Sequence, residues 1–207
     1  HEELERALSG NTAMVYTTAL GEKLAKALAI TKKAGVPLLL DDAAGIPPIE
    51  NFSLYARMGV DLYAFSGGKG LRGPQCSGLL LGRKDLLRAA FLNGSPHSDS
   101  VARLAKVGKE EIVGLTRALE LYVARDHDAE WREWEARVAH IVARVSGSQG
   151  VKAERFVPVI ANEVPHVSIS WDRARIPLTR DQFAQAMREG EPRIEIRPST
   201  PEDPKAE

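Results

Sequence analysis

The chain has 207 residues, 43% of them hydrophobic and 27% charged, and its 28 basic residues balance 28 acidic ones. This length fits one large domain or a domain with a smaller companion, and the neutral charge lacks the basic footprint of a dedicated nucleic-acid binder. The single cysteine, Cys76, excludes an intramolecular disulfide and suits a reducing compartment. No run approaches the roughly 18 apolar residues of a membrane span, and the charged start is unlike a signal peptide. We therefore expect a cytoplasmic protein without a membrane partner.

The first half of the chain alternates apolar strands with helices. Four segments have the length and continuous apolar character of buried strands: residues 12–19, 35–41, 61–66 and 77–82. Helices are predicted over 20–35, ending at the cap glycine Gly35, and over 53–59. Such alternation is typical of α/β proteins in which helices cover both faces of a mostly parallel sheet.

The second half changes character at Lys109, where two long amphipathic helices are predicted. A strand follows over 164–171, and Thr179 and Gln182 form a capping box at the start of another helix. Residues 193–207 read as a short strand and then a mobile, Pro-rich tail. We therefore predict a large α/β domain over 1–123 and a small α+β domain over 124–207.

Lys69 lies in the glycine-rich stretch FSGGKGLRGPQCSG, residues 65–78. Five glycines surround it: Gly67, Gly68, Gly70, Gly73 and Gly78. Each costs roughly 0.5–1 kcal/mol relative to alanine in a regular element, so their clustering indicates that something approaches the backbone closely.

Ligands of open α/β sheets bind at the carboxyl ends of the strands, where this chain places Asp41, with Asp42 beside it, and Ser66, shortly before Lys69. A phosphate loop of the G-x-x-x-x-G-K-[ST] type is disfavoured, because Gly70 follows Lys69 and the pattern is absent. No metal site is predicted.

Pyridoxal 5′-phosphate fits these residues better, because it needs an amine for a Schiff base and a carboxylate that keeps its ring nitrogen protonated. Lys69 follows Asp41 by 28 positions, enough for a crossover helix and the next strand. Ser66 would offer a hydroxyl to the cofactor phosphate, and glycines such as Gly68 would let the ring lie against the backbone. The competing interpretations are a solvated lysine and an aspartate that caps a helix.

The segment 41–90, with SGGKGLRGPQ its most specific part, and the later VGKEEIVGLTRALELY and EPRIEIRP resemble fold-type-I pyridoxal-phosphate enzymes of the selenocysteine synthase (L-seryl-tRNA selenium transferase) family. Within that family the likeness is closer to the D-glucosaminate-6-phosphate ammonia-lyase branch. The resemblance implies that Lys69 bonds to the cofactor, that Asp41 contacts the ring nitrogen and that Ser66 lies on the phosphate side. It also implies at least a homodimer and an N-terminal portion that precedes residue 9 in such enzymes and is missing here.

Three further residues are candidates for substrate contacts. Arg193 and Arg197 belong to the predicted small domain, which in fold-type-I enzymes often supplies an arginine that pairs with the substrate carboxylate. His97 lies in the loop NGSPHSDS after the sheet, where substrate would enter, although an exposed loop histidine is the simpler interpretation.

Three functions follow as hypotheses. The first is an α,β-eliminating lyase acting on a small amino acid or amino-sugar acid, with phosphorylated substrates included. The second is a selenium transferase acting on seryl-tRNA, which would need tRNA as a partner. The third is a noncatalytic relative that serves as a binding or assembly protein, against which the intact Lys69 and Asp41 count.

Overall fold

The computed structural model describes residues 2–159 and 162–196. Contacts divide the chain into two compact units, His1–Asp126 with Pro158–Glu163 and His127–Val157 with Val164–Glu207. The domain boundary predicted at residue 123 stays a prediction, since compact units need not be independent domains.

The first unit is an α/β layer built on one four-stranded sheet. Its elements in chain order are α1 Glu2–Ala7, β1 Val15–Thr17, α2 Gly21–Ala34, β2 Leu38–Asp41, α3 Asn51–Met58, β3 Leu62–Ser66, β4 Gly78–Gly82, α4 Lys84–Leu92, a short 3₁₀ helix Val101–Ala105 and α5 Lys109–Val123. The strand order is β1-β2-β3-β4, with β1, β2 and β3 parallel and β4 antiparallel to β3. The prediction of a mostly parallel α/β sheet is confirmed.

Both crossover helices of the parallel part end on glycine. Gly35 after α2 has φ 67° and Gly59 after α3 has φ 82°, the left-handed conformation that glycine adopts without steric cost. Each glycine donates its backbone N–H to the last turn of its helix, and the chain then turns into β2 or β3. Because β2 and β3 are parallel neighbours, their carboxyl ends lie at one edge of the sheet.

The core of the first unit lies on one face of this sheet. Leu38 and Leu40 of β2 and Tyr63 and Phe65 of β3 are buried there beside helical side chains. The Phe65 ring packs edge-on against Phe52 of α3 at 5.5 Å between ring centroids. The opposite face is more open than predicted, because Tyr16 and Leu80 project from it as exposed side chains.

The second unit combines α6 His127–Val145, β5 Val151–Phe156, β6 His166–Trp171 and α7 Arg180–Glu189. The two strands pair antiparallel, from Val151 opposite Trp171 to Phe156 opposite His166. The predicted capping box is confirmed, since the Thr179 side chain accepts from the Gln182 N–H and the Gln182 side chain from the Thr179 N–H. Nowhere in the described ranges does a helix combine the length and apolar character that a bilayer crossing requires.

The structure corrects one predicted element and adds several that were not predicted, the short 3₁₀ helix among them. Residues 193–196 do not form the predicted strand, because the Ile194 N–H bonds back to the Met187 carbonyl at 2.9 Å and Glu195 pairs with Arg188 at the end of α7. The predicted tail after them lies outside the described residues. The helices α1 and α4 and the strand β5 were not predicted.

Candidate functional site

Asp41 and Ser66 lie side by side at the carboxyl edge of the sheet. Asp41 is the last residue of β2 and pairs in register with Ala64 of β3, two positions before Ser66. Side chains two apart on a strand share a face, so Asp41 and Ser66 project to the same side. Both border an open cavity of about 360 Å³, together with Tyr16, Ala43, Ser77 and Leu80. The structure therefore brings two of the predicted site residues together.

The carboxylate of Asp41 receives one hydrogen bond on each oxygen. The Tyr16 hydroxyl donates to Oδ2 at 2.7 Å, and the Ala43 backbone N–H donates to Oδ1 at 3.1 Å. The hydrogen bond to Asp41 raises the pKa of Tyr16 above its ordinary value of 10, and partial desolvation makes a smaller contribution in the same direction. A negative charge of fixed orientation thus faces the cavity.

Asp42 has a different environment although it is the next residue. Its side chain is 4% exposed, and the Tyr55 hydroxyl donates to its Oδ2 at 2.5 Å. Burial raises the pKa of Asp42, and the neighbouring charge of Asp41 adds to the increase. Burial also raises the pKa of Glu163, and the nearby charge of Asp42 raises it further. Asp42 is therefore a core carboxyl, and Asp41 is the one that borders the cavity.

Lys69 lies three residues beyond β3, in a loop that its neighbours hold in place. The Lys69 backbone carbonyl accepts from the Arg72 N–H at 2.9 Å, and Leu71 is buried in the core. The Lys69 side chain is exposed, and within the described ranges its amine has no hydrogen bond or ion pair. Its charge nevertheless lowers the pKa of Asp42 in part, which indicates that the amine is within electrostatic reach of this edge.

The glycines around Lys69 allow the loop to pack against itself. A Cβ on Gly68 would lie 2.6 Å from the Cα of Gln75, and a Cβ on Gly70 would lie 1.9 Å from the carbonyl oxygen of Ile46. Neither neighbour is a flexible side-chain end, so any larger residue would displace the backbone. The predicted close approach to these glycines is therefore made by the protein itself, and the cofactor contact of Gly68 stays a prediction.

His97, a candidate of the first unit, is not among the residues that border this cavity. His97 is half-buried and packs edge-on against Phe91 at 5.4 Å between ring centroids, and its buried Nε2 atom has no hydrogen-bond partner among the described residues. Arg193 is exposed in the second unit, where it lowers the pKa of Glu195 in part. Arg197 lies outside the described residues. The substrate contacts of all three stay predictions. No group of three His, Cys, Asp or Glu side chains in the described ranges could hold a metal ion.

Tyr16 and Ser77 border the cavity but were missed by the sequence reasoning. Tyr16 lies within the predicted strand 12–19, where an aromatic residue is typical of a sheet and does not by itself indicate a binding site. Only the register of β1 on β2, which pairs Tyr16 with Leu39, shows that it shares a face with Asp41.

The buried carboxyl of Asp42 generates a prediction about stability and pH. Because its pKa is raised on folding, the folded state holds its proton more tightly, and this carboxyl lowers stability progressively as pH rises from its ordinary 3.8 through the folded value. Asp42→Asn keeps an acceptor for Tyr55 and removes the charge, so its free energy of unfolding should fall less than that of the wild type from about pH 4 to about pH 7.

Urea unfolding across this pH range measures the difference. As a matched control, Tyr55→Phe leaves the buried Asp42 without its donor and should cost about 1–3 kcal/mol at neutral pH. Parallel pH profiles for the wild type and Asp42→Asn would contradict the assignment of Asp42 to the core.

Comparison with known proteins shows what the chain is similar to. The profile of Aminotransferase class-V matches residues 1–167. Two curated relatives are a 5′-C-glycyluridine monooxygenase-decarboxylase of a Streptomyces species and a D-glucosaminate-6-phosphate ammonia lyase of Salmonella typhimurium. The first is 31% identical over 192 residues, covering 89% of this chain and 46% of the relative. The second is 26% identical over 156 residues, covering 75% and 39%.

Solved structures show the same fold. A D-glucosaminate-6-phosphate ammonia-lyase superposes with a TM-score of 0.68 at 23% identity, covering 95% of this chain and 52% of the other. The alanine–glyoxylate aminotransferase of a Nostoc species gives a TM-score of 0.53 at 16% identity, covering 97% and 56%. The chain spans less than half the length of the two curated relatives, and the predicted fold-type-I architecture is confirmed. The chain belongs to the class-V aminotransferase family.

Proposed function

We propose that the protein is a pyridoxal-phosphate-dependent lyase that catalyses α,β-elimination on a small amino acid or amino-sugar acid, with phosphorylated substrates included. Membership of the class-V aminotransferase family indicates an enzyme with this cofactor. One observation carries the proposal: Asp41 and Ser66 border one cavity at the carboxyl edge of the sheet, and Lys69 follows Ser66 by three residues. This arrangement counts against the noncatalytic alternative.

The residues around the cavity fit the cofactor by their chemistry. The carboxylate of Asp41 can accept a hydrogen bond from a protonated pyridine nitrogen, and the hydroxyl of Ser66 is a donor for phosphate or ring oxygens. The Ser77 hydroxyl already donates to the Pro74 carbonyl at 2.6 Å. The amine of Lys69 has no described partner that would compete for it. When bound, pyridoxal phosphate supplies an electron sink for charge that develops at the substrate Cα.

Two residues of this chain would move or hold protons in the reaction. The Lys69 amine in its free form would be a general base that takes the proton from the substrate Cα onto Nζ. It can return that proton to a hydroxyl leaving from Cβ, so that water departs. Asp41 would hold the proton on the ring nitrogen throughout, because its charge faces the cavity between two hydrogen-bond donors.

The Salmonella relative and the first structural neighbour support the lyase by their names. The selenium transferase is a weaker alternative, since a tRNA partner calls for a basic surface and this chain is neutral. A second candidate is oxidative decarboxylation of an amino acid attached to a nucleoside, because the Streptomyces relative is 31% identical over 89% of this chain. The lyase needs no oxygen, whereas a monooxygenase consumes it.

We further propose that two copies of the chain associate, as the resemblance implied. Strongly exposed apolar side chains support this, since Val101 and Leu104 of the 3₁₀ helix are 89% and 98% exposed and Ile112 and Val113 of α5 are exposed as well. Apolar side chains this exposed and this close along the chain are typical of protein interfaces. The free, exposed Cys76 is consistent with the proposed cytoplasmic location.

Product analysis with substitutions tests the activity. The purified protein with pyridoxal phosphate should show a visible absorption band and release 2-oxo acid and ammonia from hydroxylated amino acids or phosphorylated amino-sugar acids, equally with and without oxygen. Lys69→Ala should abolish the band and lower turnover at least about 100-fold, whereas the exposed Lys84→Ala should change neither. Asp41→Asn should lower turnover about 10- to 100-fold, because it removes a charge-assisted hydrogen bond.

Two outcomes contradict the proposal. Oxygen-dependent release of carbon dioxide without 2-oxo acid would favour the second candidate. An unchanged band in Lys69→Ala would remove the assignment of the reactive amine.

The association is tested by the mass of the particle in solution. Sedimentation should give twice the chain mass for the wild type, and Leu104→Glu should shift it toward the monomer, because a charge would replace a buried apolar contact. Val159→Glu, at a position also strongly exposed but far along the chain, is the control and should stay dimeric. A monomeric wild type would contradict the proposal.

A further inference from the structure

We propose that Tyr16 is a positioning residue, which orients the Asp41 carboxylate toward the cofactor ring. This inference rests on the proposed function and adds to it a residue on the edge strand β1. Tyr16 would act through Asp41 and would not touch the reacting atoms.

The contact geometry restricts how the carboxylate can turn. Tyr16 donates to Oδ2 at 2.7 Å, and the Ala43 N–H donates to Oδ1 at 3.1 Å. Two donors on different oxygens fix the carboxylate about its Cβ–Cγ bond. Each oxygen has two acceptor positions, so each keeps one free for a ring N–H. The carboxylate is thereby oriented without being saturated.

The register of the sheet explains why a tyrosine suits this position. Tyr16 pairs with Leu39, two positions before Asp41 on the same face of β2. Two residues of a parallel strand rise about 6.6 Å, so a donor on β1 must extend that far along the strand to meet the carboxylate. A phenol spans this distance, whereas the hydroxyl of serine or threonine would stop close to its own backbone.

The solvent exposure of Tyr16 argues against a role in packing the core. Its side chain is 60% exposed, whereas Tyr55, Tyr63 and Tyr122 are each at most 5% exposed in the core. An aromatic ring this open to solvent gains little from burial. The bond to Asp41 is therefore the main interaction that the structure gives this side chain.

The neutral phenol of Tyr16 is also a suitable hydrogen-bond donor to the Asp41 carboxylate. A lysine or arginine at this position would orient Asp41 but would also cancel its charge, and the ring nitrogen needs that charge to stay protonated. A neutral phenol donates without adding positive charge. Because the bond to Asp41 raises the pKa of Tyr16 above 10, the hydroxyl stays protonated throughout the neutral range.

Tyr16→Phe removes the hydroxyl alone and tests the role in the loaded protein. Absorbance titration with pyridoxal phosphate should show that the visible band persists, since Lys69 is intact, and that the dissociation constant rises about tenfold, the effect of losing one hydrogen bond to a charged group. In the Asp41→Asn background the same substitution should have a smaller effect, because the amide oxygen of asparagine still accepts a hydrogen bond but carries no charge to strengthen it.

The matched control is Tyr63→Phe, which removes a tyrosine hydroxyl from the opposite face of the sheet. That hydroxyl donates to the Phe52 carbonyl at 2.9 Å, so its loss should lower the free energy of unfolding and leave the dissociation constant unchanged. Tyr16→Phe should instead raise the dissociation constant and leave the free energy of unfolding unchanged. Alkaline absorbance titration without cofactor adds a separate readout: the Tyr16 phenol should titrate above its ordinary value of 10, and nearer to it in Asp41→Asn.

The outcomes separate this inference from the proposed function. A wild type without a visible band overturns the proposed function, and the inference with it. A wild type with the band, but with a Tyr16→Phe dissociation constant within twofold of it, overturns the inference alone. The same holds if the effect of Tyr16→Phe persists undiminished in Asp41→Asn, or if the Tyr16 phenol titrates identically in both backgrounds.

Discussion

The candidate site depends on the register of three parallel strands. Because Tyr16 pairs with Leu39 and Asp41 with Ala64, the side chains of Tyr16, Asp41 and Ser66 project from one face at one edge. A slip of one residue between β2 and β3 would send Asp41 and Ser66 to opposite faces. The buried face prevents such a slip, since it would also expose the core side chains Leu38 and Leu40. The core and the site are thus fixed by the same pairing.

The two adjacent aspartates illustrate how the sheet divides its functions. Asp41 ends β2 facing the cavity, whereas Asp42 lies beneath it against Tyr55. One carboxylate keeps its charge accessible, and the other has a raised pKa because burial disfavours its charge. Two neighbouring residues of the same type therefore have different environments, one bordering the cavity and the other buried in the core.

Part of the fold and of the candidate site can be predicted from the residue types in the sequence, and part depends on contacts between distant residues. Gly35 was predicted as a cap because few residues adopt its backbone conformation. Lys69 became a candidate through the glycines around it and through the family resemblance. The strand β5 was missed because its charged residues, such as Lys152 and Glu154, pair with each other and interrupt the apolar pattern. The contact between Tyr16 and Asp41 depends on register, which links distant residues and leaves little trace in a single sequence.

The central claim is that the amine of Lys69 is the group that bonds to pyridoxal phosphate. Reduction of the loaded protein with borohydride makes that bond permanent, and mass analysis of its peptides then locates it. The account predicts a phosphopyridoxyl group on the peptide that contains Lys69 and on no other lysine. A modified peptide carrying Lys106 or Lys109 in place of Lys69, or no modified peptide at all, would contradict it.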